Sequence, residues 1–216
     1  MSLPKIQSYA LPRPEELPAR RVSWQPDSSR LALLVHDMQN YFVRAFPAGD
    51  APIAPVIANI AALRQACDDA GIPVFYTAQP GNQDPRDRGL QREFWGPGMT
   101  DAPEHQSIVD ALTPLPHHIV LTKWRYSAFQ RTNLEPMLRA RGRTQLIVCG
   151  VYAHIGCLLS TADAFMHDIE PFYVADAVAD FSRERHDFAV DYASTRCAVV
   201  TDTASLIAAL SAEVAA

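Results

Sequence analysis

The chain has 216 residues, 48% hydrophobic and 20% charged, enough to bury one substantial core without disulfides or structural metal. A formal net charge of -5 and the lack of any Lys and Arg stripe exclude nucleic acid and anionic membranes as electrostatic partners, so an anionic substrate must be held by local cations. No stretch approaches the roughly 20 apolar residues that span a bilayer, and the proline-rich start lacks the pattern of a secretion signal.

Residues 1–30 hold Pro4, Pro12, Pro14, Pro18 and Pro26 and read as an extended arm that packs on the remainder of a single domain spanning 1–216. Leu31 to Val35 is a continuous apolar run ending in His36 and Asp37, the pattern of a strand buried on both faces with a polar tip at its carboxyl end. A helix over about 53–70, ended by Gly71, leads into a second strand, Pro73 to Ala78, tipped by Gln79. Residues 80–102 have little periodicity and form a long excursion whose aromatic content points to a functional loop.

Ile119 to Thr122 make a third strand tipped by Lys123. A helix over about 133–141, capped by Thr132 and closed by Gly142, precedes a fourth strand, Gln145 to Cys149. The segment from Gly150 to Gly156 runs into a helix that reaches about His167. Pro171 to Val174 make a fifth strand, Ser182 caps a helix to Ala193, and Ala198 to Thr201 make a sixth strand.

Six short apolar strands alternating with helices predict a three-layer α/β/α fold with a six-stranded, mostly parallel, Rossmann-like sheet. Ligands in such sheets bind beyond the carboxyl ends of the strands, which places Asp37, Gln79, Lys123 and the segment from Tyr152 to Gly156 on one edge. Taken singly, each has a plainer reading: Asp37 as a turn cap, Lys123 and Arg88 as solvated charges, and Phe42, Trp95 and Tyr126 as core or interface aromatics. The adjacent His117 and His118 read as solvated histidines with oppositely directed rings rather than metal ligands. Cys67, Cys149, Cys157 and Cys197 show no CxxC or metal spacing, which fits reduced thiols in a cytoplasmic protein that needs no cofactor.

Longer strings carry more information: LLVHDMQNYF at 33–42, YTAQPG at 76–81, EFWGPGM at 93–99, LTKWRYSAF at 121–129, CGVYAHIGCLLSTADAF at 149–165 and VADAVADFS at 174–182. In these the chain resembles the isochorismatase family across essentially its whole length. The wider superfamily, which includes nicotinamidases and other amide hydrolases, uses an Asp, Lys and Cys triad. The position of that Cys, by its spacing from Gly150, is Gly156.

The resemblance therefore implies hydrolysis of the enolpyruvyl vinyl ether of isochorismate, or of 2-amino-2-deoxyisochorismate, with no covalent thiol step. Asp37 is the implied acid, with Lys123 beside it and Gly156 in place of the nucleophile. Arg88 matches the family's binder of a substrate carboxylate. Gln79 and the stretch from Tyr152 through Ile155 to Gly156 are implied contacts of the enolpyruvyl end, walled by Phe42, Trp95 and Tyr126.

The family also implies a cis peptide before Tyr152, a homodimer, and a role in siderophore or phenazine biosynthesis. An unperturbed Asp, with a pKa near ~3.9, is ionised at neutral pH, so an acid role asks for a raised value, while an ammonium at Lys123 would lower it; substrate carboxylates that draw the lysine's charge would leave Asp37 its proton. Two other readings stay open: an amidohydrolase using Cys157, although a one-residue shift turns a helical side chain by about 100°, and a docking protein. With only a short segment after the last strand, no carrier-protein domain is expected here.

Overall fold

In the computed structural model, which describes residues 3–214, the first strand β1 (Leu31–His36) is buried throughout. Its side chains alternate between two cores. Leu31, Leu33 and Val35 face one side of the sheet and Ala32 and Leu34 the other, the two-sided burial that a continuous apolar run demands of a parallel strand.

The sheet comprises β1, β2 (Val74–Ala78), β3 (Ile119–Thr122), β4 (Gln145–Val151), β5 (Glu170–Ala179) and β6 (Val199–Thr201). The spatial order is β3-β2-β1-β4-β5-β6 and every pairing is parallel. The chain winds outward from β1 through β2 to β3, then returns to place β4 on the other side of β1. The order reverses between β1 and β4, where side chains from diverging connections leave a crevice.

Among the described residues nine α-helical segments follow one another: α1 (Asn40–Val43), α2 (Ile53–Asp69), α3 (Pro85–Arg88), α4 (Gln91–Trp95), α5 (Pro103–Gln106), α6 (Leu134–Ala140), α7 (Leu158–Met166), α8 (Arg183–Arg196) and α9 (Thr203–Val214). Buried residues of α2 and α9, including Ile60, Leu63 and Leu206, cover one face. Those of α6, α7 and α8, including Leu138, Leu158 and Ala189, cover the other. Among the described residues, no helix is long and apolar enough to cross a membrane.

Several elements differ from the sequence expectation, among them the short α1 and α5, which have no counterpart in it. Strand β5 runs on to Ala179, through the polar Asp176 that interrupts its apolar run, because that carboxylate faces the start of α9 and accepts from the amide and hydroxyl of Thr203, both at 2.8 Å. Helix α9 has no counterpart among the expected elements; its first turn is held by Asp176 at Thr203 and by Asp202, which accepts from Ser205 N at 2.8 Å. The excursion at 80–102 contains α3 and α4, each only about one turn long and too short to show a period. The segment after β4 enters α7 through a π-type turn over Ala153–Cys157 rather than directly.

The arm, whose residues Met1 and Ser2 lie outside the described residues, crosses the carboxyl edge of the sheet. Ile6 is buried and its amide donates to Ala45 O at 2.8 Å. Tyr9 Oη accepts from Asp180 N at 2.8 Å and lies 3.1 Å from His186 Nδ1, tying the arm to the end of β5 and to α8.

Candidate active site

Strand β1 stops at Asp37 because this residue turns into the left-handed region, φ 49°, which Asp enters more readily than most residues. The turn leaves the carboxylate beneath the ends of β2 and β3. Oδ1 accepts from Thr77 Oγ1 at 2.6 Å, and Oδ2 accepts from Gln79 Nε2 and Lys123 Nζ, each at 2.9 Å. Asp37 is 3% exposed and Lys123 1%, so this is a buried ion pair whose desolvation is offset only by close contact and further hydrogen bonds. Lys123 also donates to Arg125 O at 2.8 Å, leaving one of its three protons for a ligand.

Gln79 is held by Gln39, whose amide mimics a neighbouring strand. Gln39 Oε1 accepts from Gln79 N at 2.7 Å, and Gln39 Nε2 donates to Gln79 O at 2.9 Å. Gln79 Oε1 in turn accepts from Arg88 at 3.3 Å, and Arg88 Nε donates to Gly96 O at 3.0 Å. Arg88 is 6% exposed, and among the described residues no carboxylate pairs with it.

Asp37, Phe42, Gln79, Arg88, Trp95, Lys123, Tyr126, Tyr152, Ile155 and Gly156, all predicted from the sequence, line one cavity of about 320 Å³. Trp95 Nε1 donates to Tyr126 Oη at 2.7 Å, and Phe181 stacks between Tyr152, at 4.3 Å, and Trp95, at 6.2 Å. The peptide between Val151 and Tyr152 is cis.

The structure adds residues to which the sequence alone assigns no site role. Leu3 and Pro4 of the arm, Tyr41, Gln91, Phe94 and Met99 are among the further lining residues. Thr77 and Gln39 act behind it, and neither stands at a strand tip, the signal that marks the other candidates. His36, next to Asp37 in the chain, is 1% exposed and lies against Gly156.

The charges oppose one another. Burial pushes the Asp37 carboxyl up, but the Lys123 ammonium, His36 and the hydrogen bonds from Thr77 and Gln79 outweigh it and hold the group below the usual carboxylate range. Asp37 is therefore a carboxylate: of the two opposing effects expected, the ammonium of Lys123, joined by the other donors, prevails over burial. Burial lowers His36, countered in part by Asp37 and reinforced by Lys123, so its ring is neutral.

His117 and His118 do not point apart. Both Nε2 atoms reach Asp68 Oδ1, at 3.1 and 2.9 Å, because the turn before β3 brings both rings over the end of α2. His118 is also buried rather than solvated. The three side chains are close enough to suggest a metal site. However, His118 Nδ1 accepts from Leu115 N at 3.0 Å, so its Nε2 carries the proton and presents N–H rather than a lone pair.

Fold and cavity together define an α/β protein whose pocket gathers a buried acid–base pair and is lined by no cysteine. The chain belongs to the isochorismatase family: the model described as Isochorismatase domain matches residues 31–205. It is 54% identical to the isochorismatase of Bacillus subtilis over 207 residues, 96% of this chain and 66% of that protein. It is 52% identical to enterobactin synthase component B of Escherichia coli K12, covering 97% of this chain and 73% of that one. It is also 52% identical to phenazine biosynthesis protein PhzD of Pseudomonas fluorescens, covering 95% and 98%. This chain thus spans about two thirds of the Bacillus relative and nearly all of the Pseudomonas one.

The site geometry fixes two measurable properties. The Cys157 thiol is fully buried outside the cavity lining, and burial raises it well above its ordinary value. Cys157→Ala is expected to leave turnover within about twofold and to cost on the order of 1 kcal/mol of stability; loss of turnover in a folded variant would make the thiol functional.

The second concerns pH. Buried His36 and His186 are lowered in the fold, so the unfolded chain takes up their protons first as pH drops below about 6.5. Their contribution to stability is complete above that pH and lost below it, whereas that of Asp37, also lowered, persists until pH falls below about 4. The urea midpoint should be level from about pH 7 to 8 and decline between about 6.5 and 5. A level midpoint down to pH 5 would contradict this assignment.

Proposed function

We propose that the protein hydrolyses the enolpyruvyl vinyl ether of isochorismate, or of its 2-amino-2-deoxy analogue, to pyruvate and a dihydrodiol or its amino counterpart, in siderophore or phenazine biosynthesis. The observation that carries the reading is a carboxyl group and an ammonium in buried contact at the sheet's switch point, facing a glycine where an amidohydrolase would need a nucleophile. The names of the relatives span both substrates' pathways.

A vinyl ether is electron-rich at its terminal carbon. Protonation there gives an oxocarbenium ion that water captures, and the resulting hemiketal expels the ring alcohol and leaves pyruvate. Asp37 is the proton donor. Its Oδ2 already accepts two hydrogen bonds while Oδ1 accepts one, so Oδ1 has the lone pair on which a proton can rest.

The substrate completes the charge balance of the site. With Asp37 ionised, the cavity carries Arg88 and Lys123 against one carboxylate, a surplus of one positive charge that suits a dianion. Substrate carboxylates drawn to Arg88 and Lys123 divert the lysine's charge and return Asp37 toward the raised value that burial alone would give. Gln79, bridging Asp37 and Arg88, orients both. The aromatic wall excludes bulk water, which strengthens these interactions.

We also place the working form as a cytoplasmic homodimer. Leu159, Phe165 and Met166 on α7 with Phe188 and Tyr192 on α8, each 42–71% exposed, support a self-association face, and four buried free thiols fit a reducing compartment.

The test is pyruvate release measured side by side on the two substrates, for the wild type and for Asp37→Asn. Wild-type turnover on at least one is expected, with a loss of roughly 10³-fold in kcat for the variant. Near wild-type kcat in a folded Asp37→Asn enzyme would end the acid assignment, and turnover of neither substrate would favour a docking role.

A further inference from the structure

A Cβ built on Gly156 would lie 2.0 Å from Cε1, 2.6 Å from Nε2 and 2.8 Å from Nδ1 of His36. Real carbon atoms do not approach so closely, so the imidazole stands in the volume that any side chain at 156 must enter. The ring is held in place by burial and by its backbone contacts. Its Nδ1 lies 2.8 Å from Val151 O and its Nε2 3.2 Å from Tyr126 O, and His36 is 1% exposed. The backbone behind it is equally fixed: Gly150, φ 115°, sits so close that a Cβ there would come within 2.2 Å of His36 O.

From this packing we infer that His36 is the residue that sets the reaction class: its ring fills the space of a nucleophile at 156, so the site is closed to thiol chemistry by the pair His36 and Gly156, not by the glycine alone. The inference rests on the reading of this cavity as a hydrolase site without a covalent step, but its geometric part stands independently of which substrate is cleaved. The ring occupies the pocket side of the turn, in the same lining as Asp37, Lys123 and Gly156. A side chain admitted at 156 by removal of the ring therefore emerges beside the acid and the lysine.

Both ring nitrogens face backbone carbonyls, one at the end of β4 and one in the segment after β3; the neutral ring donates to one of them, Val151 O being the nearer at 2.8 Å, and packs against the other. The imidazole thus also ties together the two connections that flank the crevice. Loss of the ring loosens this tie, so the effect of residue 156 has to be read against a trimmed background of its own. Valine is the suitable replacement at 36, being small enough to omit every ring atom that would meet a Cβ at 156 and well adapted to a strand.

The experiment is a double-substitution cycle with Gly156→Ala and Gly156→Cys, each made in the His36 protein and in His36→Val. Thermal midpoints and alkylation of the new thiol by iodoacetamide, in which the thiolate displaces iodide, are measured on the folded proteins and mapped by peptide mass. The four native cysteines are buried and serve as internal unreactive controls.

In the His36 background both substitutions should lower the midpoint sharply or abolish folding. In the His36→Val background they should lower it by less than half as much, and the thiol at 156 should alkylate at least about tenfold faster than any native cysteine. A Gly156→Cys protein that is as stable and as reactive with His36 as without it would overturn the inference. So would a folded His36→Val protein that loses its fold on Gly156→Cys. Vinyl ether turnover, followed in parallel, separates this result from the functional reading, since failure of the cycle leaves wild-type pyruvate release untouched.

Discussion

The contact on which the site depends is the buried pair between Asp37 and Lys123, 2.9 Å apart. Strands β1 and β3 are not neighbours. At about 4.8 Å per strand, their ends stand roughly 10 Å apart with β2 between them, a gap that a lysine stem can cross and few other side chains can. Strand β2 fills the interval with Thr77 and Gln79, which supply the remaining donors to the carboxylate. Removing either charge would leave its partner unpaired in a dry cavity, at a cost of several kcal/mol, so the strand order and the hydrogen bonds of β2 are constrained together.

The same contact governs the chemistry. A lysine close enough to compensate a buried carboxylate also keeps it ionised, the opposite of what acid catalysis on a carbon requires. The proposed resolution makes protonation conditional on binding: the resting site is stable because Asp37 is charged, and the occupied site is reactive because a dianionic substrate competes for Lys123. His36 and Gly156 serve the same end from the other wall, leaving no room for a nucleophile and directing the site to proton transfer. The arm adds Leu3 and Pro4 to the rim and, through Tyr9, braces the end of β5.

Much of the fold is legible in the sequence because its strands are apolar on both faces and end in polar tips. The run from Leu31 to Val35 and the capping Ser182 each leave a local trace, and Ser182 accepts from Arg185 N as a cap should. What escapes is decided by distant contacts. The expected fifth strand ends at Val174, short of the Asp176 carboxylate that α9 uses, and His117 and His118 look divergent until Asp68 draws both rings together. In the site, strand tips name Asp37, Gln79 and Lys123, but Thr77 and Gln39 act behind them. Their roles depend on side-chain angles that no linear pattern records. The balance at Asp37 is open in the sequence for the same reason, since burial and the opposing Lys123 are apparent there but the donors Thr77 and Gln79 that tip it are not.

Carboxyl-carbon NMR of Asp37, with Asp37→Asn used to assign its resonance, bears most directly on the central claim that substrate charge controls the acid. It would follow the titration of the free protein and of the protein saturated with a non-hydrolysable dicarboxylate analogue of isochorismate. The account predicts a carboxyl below the ordinary range in the free protein, in line with the opposing effects of burial and Lys123, and a rise of more than about one pH unit on binding. A carboxyl whose titration is unchanged by the bound dianion would contradict it.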